Sequence, residues 1–104
     1  METTFKISVQ IRTLKGMKEI GSFQMGSSAD LAKNTFNSLK GDPLLANTAY
    51  LRMDLVKEGE WYLPVCISSI GCTLDEYTEN CRIITRDAYK YFTLEQPIND
   101  SPEP

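Results

Sequence analysis

The chain has 104 residues, 41% of them hydrophobic, enough for one globular core and too few for two independently stable ones. Its formal net charge is −3, from 11 Lys+Arg against 14 Asp+Glu, and Glu95, Asp100 and Glu103 fall in the last ten residues, so the body balances at 11 against 11. That neutrality argues against nucleic acid as a partner, because phosphate-backbone binding draws its affinity from a basic excess, and no apolar run approaches the roughly 18 residues that cross a bilayer.

From Phe5 the residues alternate, with Phe5, Ile7, Val9 and Ile11 on one side and Lys6, Ser8, Gln10 and Arg12 on the other, the period of a half-buried strand. Lys15-Gly16 supplies a turn, and Met17 to Met25 reads as the returning strand. Gly21 within it predicts a bulge or bend. After Gly26-Ser27-Ser28, either serine can cap a helix whose apolar stripe is Ala29, Ala32, Phe36 and Leu39. Lys40-Gly41-Asp42-Pro43 ends that helix, and Leu44 to Thr48 is a connector.

Alternation returns at Tyr50 to Lys57, where Leu51, Met53 and Leu55 oppose Arg52, Asp54 and Val56. Glu58-Gly59-Glu60 makes the second turn. Trp61, Leu63, Val65 and Ile67 then share one expected inward face of a fourth strand. Pro64 cannot donate to a sheet ladder, which places this strand at an edge, a bulge or a strand end. Thr73, with Glu76 three residues on, forms a capping box for the last helix. Leu74, Tyr77, Cys81, Ile84, Ala88 and Tyr91 or Phe92 make its stripe, and the β-branched run Ile83-Ile84-Thr85 is where the stretch would divide in two.

The layout repeats, since Gly26-Ser27-Ser28-Ala29-Asp30 precedes Gly71-Cys72-Thr73-Leu74-Asp75 by 71 minus 26, or 45, residues. Duplication and convergence of two ββα units explain this equally. The expected fold is α+β, order ββαββα: a four-stranded, mainly antiparallel sheet with two helices, or three if the last divides, on one face. Residues 1–94 form the domain, and 95–104, holding three prolines, form a flexible acidic tail.

Few residues are left for chemistry. Cys66, Cys72 and Cys81 are an odd number in a chain whose start, Met1 to Thr4, shows no signal-peptide pattern. They are expected to be reduced thiols in a cytoplasmic protein. Without histidine, and at C-x5-C-x8-C spacing, they support no zinc site. Cys72 precedes a helix N-terminus, where the peptide dipoles favour a thiolate, and is the one candidate reactive thiol, although no histidine can act as its base. Asp75, Glu76 and Glu79 cluster where acids serve helix capping and dipole, which outweighs an acid–base or cation role. Tyr77, Tyr89, Tyr91, Phe92 and Trp61 fit core packing better than base stacking, which needs a basic groove. Scattered single glycines make no phosphate loop. No catalytic residue, metal or cofactor is assigned.

The sheet face away from the helices is the expected contact surface. On it Ile20, Val56, Tyr62 and Cys66 would form an apolar centre ringed by Arg12 and Arg52, the composition of a modest protein interface. The leading expectation is a non-catalytic interaction module that self-associates as a homodimer or binds a partner protein there. Residues 1–40 carry +3 and residues 41–104 carry −6, a polarity that also permits unlike ends to meet. The alternative is a small-molecule binder or minor enzyme with a pocket near Gly71-Cys72-Thr73.

Overall fold

A computed structural model describes residues 3–95, with side chains through Lys90. Strands β1 (Thr3–Thr13) and β2 (Gly16–Gly26) form the first hairpin, and α1 (Ala29–Asn37) follows. Gly16 takes a φ of 111° at the turn, a conformation that costs glycine nothing. Ser28 is the N-cap, its Oγ accepting from the Leu31 N–H at 3.1 Å. A short 3-10 helix, Pro43–Leu45, lies in the connector. Strands β3 (Leu51–Gly59) and β4 (Tyr62–Cys72) form the second hairpin and α2 (Leu74–Glu95) closes the order ββαββα.

The sheet is antiparallel throughout, in the order β2-β1-β3-β4. Each hairpin places its first strand at the centre and its second at an edge. The core is Phe5, Ile7 and Val9 of β1, Met25 of β2, Met53 and Leu55 of β3, and Ala32, Phe36 and Ile84 from the helices. The α+β expectation therefore holds. The expected tail at 95–104 lies, from residue 96, outside the described residues.

Two fully buried polar side chains fasten the helical layer, and they sit 80 minus 35, or 45, residues apart, the spacing of the sequence repeat. Thr35 of α1 donates to Asp87 of α2 at 2.9 Å. Asn80 of α2 accepts from the Lys40 N–H at 2.7 Å and donates to the Lys40 carbonyl at 2.8 Å, just after α1. Each half thus holds the other through a satisfied buried group.

α2 is one helix of 22 residues, so the count stays at the expected two, because Ile83 and Ile84 are buried and their packing outweighs the weak helix preference of β-branched side chains. The structure differs from expectation in three places. α1 stops at Asn37 with Ser38 as its C-cap, short of Lys40. Ile11 lies toward the end of its strand and is exposed. Most consequentially, Trp61, Leu63, Val65 and Ile67 are all exposed. Burial in β4 is confined to Ile70, Gly71 and Cys72, so the hairpin half of this edge strand lies beyond the core: Val65 pairs with Lys57, on the face of Phe5 by register, and is still exposed. Register shifts between Leu55 and Val56 and between Lys57 and Gly59 each insert a residue into β4 and break its even alternation.

Candidate interaction surface

The face of the sheet away from the helices is held by a polar network centred on Asp54. Asp54 of β3 is opposite Ser8 of β1 and Ser69 of β4. Gln10 donates from Nε2 to Asp54 Oδ2 at 2.8 Å, and the Arg52 Nε donates to Oδ1 at 2.8 Å. Arg52 also donates to Ser69 Oγ at 3.2 Å and to Asn47 Oδ1 at 3.1 Å. Both carboxylate oxygens are engaged, and Ser8 and Asp54 are buried beneath the longer side chains although no helix covers them. The hydrogen bond and charge of Asp54 raise the Arg52 pKa above its ordinary value, against the smaller opposing pull of desolvation.

The expected site residues are only partly gathered. Arg12 and Arg52 converge on the connector: Arg12 donates to the Ala49 carbonyl at 3.2 Å and to the Asn47 carbonyl. Val56 and Cys66 are cross-strand partners on this face, with Val56 buried and Cys66 exposed. Ile20 is exposed at the bulge in β2 beside Gly21, the bulge that Gly21 predicts, and lies on the far edge, with β1 and β3 between it and Cys66. Tyr62 is on the opposite face. Its hydroxyl meets Thr3 Oγ1 at 3.1 Å and its ring lies 5.9 Å from Lys57 Nζ, and both residues share a face with Phe5 by register. The apolar centre anticipated on this face does not assemble.

The apolar surface lies instead along β4 and its hairpin. Trp61 is 73% exposed and Leu63 84%, with Val65 at 46% and Ile67 at 37%. β4 is an edge strand, and from Trp61 through Leu74 the chain has no charged residue. The other edge strand, β2, carries Lys18 and Glu19, the charges by which sheets discourage edge-to-edge pairing. Asp42 closes the β4 edge at one point only among the described residues, exchanging both backbone hydrogen bonds with Gly71 at 3.0 Å. The uncharged run and Pro64 are both legible in the sequence; inward assignment of the four apolar residues hid their meaning.

The start of α2 is built on local hydrogen bonds and ion pairs. Thr73 and Glu76 form the reciprocal capping box, with the Thr73 N–H donating to Oε1 at 2.9 Å and the Glu76 N–H to Thr73 Oγ1 at 3.1 Å. Glu79 pairs with Arg82, so of the three acids Asp75 alone has no hydrogen bond or ion pair among the described residues. Cys72 is buried, and desolvation, with the Glu76 charge adding to it, pushes its thiol up to about 11, the reverse of what a nucleophile needs. A pocket of about 440 Å³ does open here, but Leu45, Ala49, Tyr50, Leu51 and Leu74 make its walls apolar. Tyr77 packs against the core, Tyr89 and Trp61 are exposed on separate elements, and the side chains of Tyr91 and Phe92 lie outside the described set. Among the described residues no group of three or more Cys, Asp or Glu is placed to hold a metal ion, and no helix is long and apolar enough to cross a membrane.

Compared with protein-family models, with curated proteins and with solved structures, the chain matched none. The geometry of β4 therefore carries the functional reading alone.

Proposed function

We propose that the chain is a non-catalytic interaction domain that meets another protein along the β4 edge and the tip of the β3–β4 hairpin. The observation that carries this reading is the coincidence of an edge strand, an uncharged run and four exposed apolar side chains. Such an edge offers unpaired backbone groups for strand addition, while the side chains beside it supply apolar burial and specificity. The polar face around Asp54 supports the sheet from behind. Its donors and acceptors are already paired with one another, so a partner there would gain little.

The reading requires the apolar side chains to serve contact rather than folding. Leu63→Glu, compared with the wild type at a dilution where both are monomeric, is expected to change unfolding stability in urea by less than about 0.5 kcal/mol, as surface substitutions do. Trp61 is the single tryptophan, and its fluorescence in dilute solution is expected to be freely quenched by acrylamide. A loss of several kcal/mol in Leu63→Glu, or a Trp61 shielded from quencher at high dilution, would show that the patch is covered by the chain itself and would end the proposal.

A further inference from the structure

We infer that the partner fitted by this edge is a second copy of the chain, joined β4 to β4 in an antiparallel two-fold that extends the two four-stranded sheets into one of eight strands. This inference rests on the interaction-domain reading and adds the identity of the partner.

Three features make β4 complementary to itself. The run from Trp61 through Leu74 is uncharged, so no like charges meet along the paired strands themselves, and acidic side chains, Glu60 beside the tip and Asp42 at Gly71, enter only at the two ends of the contact. The unpaired edge runs from Tyr62 to Ile70, since Asp42 occupies Gly71, and a two-fold axis near its middle pairs the free stretch with its own reverse. That axis carries the hairpin tip of each copy, with Trp61, to the Gly71 end of the other. There the connector presents Leu44, 88% exposed, and Leu45, 48% exposed, the latter a wall of the apolar pocket.

A protruding indole on one end of the edge thus faces an apolar shelf on the other, twice over in the symmetric pair. Together Trp61, Leu63, Val65, Ile67, Leu44 and Leu45 expose on the order of 700 Å² per copy. Two copies reach the roughly 1,000 Å² expected of a specific interface if most of that surface is buried in the pair. Pro64 forgoes one donor, so the ladder is interrupted at that position in each copy. The apolar flanks, rather than a long unbroken ladder, supply the larger part of the contact.

Sedimentation equilibrium of the full chain across micromolar to millimolar concentration tests the inference. The expected result is a monomer–dimer equilibrium that survives a change from about 0.05 to about 0.5 M salt, because the contact is apolar. Val65→Lys and Leu63→Glu, each checked for native circular dichroism, are expected to weaken dimerisation at least about 30-fold, while Lys18→Glu on the β2 edge leaves it unchanged. Cys66 sits near the proposed axis, so a short bis-maleimide is expected to join two copies through Cys66, and Cys66→Ser to abolish the product. A strict monomer at millimolar concentration overturns the homodimer while leaving the interaction reading to stand or fall on Leu63→Glu stability and Trp61 quenching. A dimer that dissolves in salt, or persists in both Val65→Lys and Leu63→Glu, overturns the β4 pairing in favour of another surface.

Discussion

Asp54 shows how one side chain can decide what a whole sheet face is available to do. Its two oxygens collect Gln10 and Arg52 from neighbouring positions, and its burial leaves those donors without an equivalent replacement. Asp54→Ala is expected to cost about 2–3 kcal/mol in urea unfolding, since it strands polar partners rather than merely deleting a contact. A cost below about 0.5 kcal/mol would mean that water replaces the carboxylate freely. Cys72 gives a prediction in pH. Its folded pKa of about 11 lies above the ordinary value of 9.0, so the folded state holds the proton more tightly. That contribution is complete below about pH 9 and is lost as pH rises toward 11. Cys72→Ala is expected to flatten this fall in stability between pH 9 and 11, measured against the wild type by thermal unfolding. At neutral pH a maleimide should label exposed Cys66 first and buried Cys72 last.

Among the elements, those whose signals are local are the ones legible in the sequence. Ser28, Thr73 and Glu76 act within one turn of the helices they cap, and Thr73→Ala is expected to lower stability by about 1 kcal/mol in thermal unfolding. The alternation of Phe5-Ile7-Val9 and of Met53-Leu55 marks the two central strands because both sit under the helices without a register shift between them. β4 was harder to read for a physical reason. Period-two patterning assigns faces only while every residue is paired one to one, and two register shifts against β3 break that condition. The same shifts put Tyr62 beside Thr3 and Lys57 instead of beside Cys66. Pro64 was informative because its missing N–H acts locally, and it marks the edge strand correctly. The convergence of Gln10, Arg52 and Ser69 on Asp54 depends on cross-strand register, which composition and period do not encode.

Viewed as a whole, the molecule is two ββα halves whose first strands meet at the centre of the sheet and whose second strands become its edges. The edges then diverge in chemistry. β2 carries Lys18 and Glu19 near its hairpin end, whereas β4 has no charge, exposes Leu63 and is preceded by exposed Trp61. Neither edge is left wholly open, since β4 carries Pro64 and two inserted residues, but only β4 joins an uncharged edge to exposed apolar side chains. Pairing at β4 would stop at two copies, because the two-fold consumes the β4 edge of both and leaves outside only the β2 strands, which carry Lys18 and Glu19 and no comparable apolar run. Amide hydrogen exchange measured across concentration tests this most directly. As the chain is raised from micromolar toward millimolar, amides between Val65 and Ile70 should become protected while those of β2 keep their rates. Protection of β4 that is independent of concentration, or a slowing that appears on β2 instead, would contradict the account.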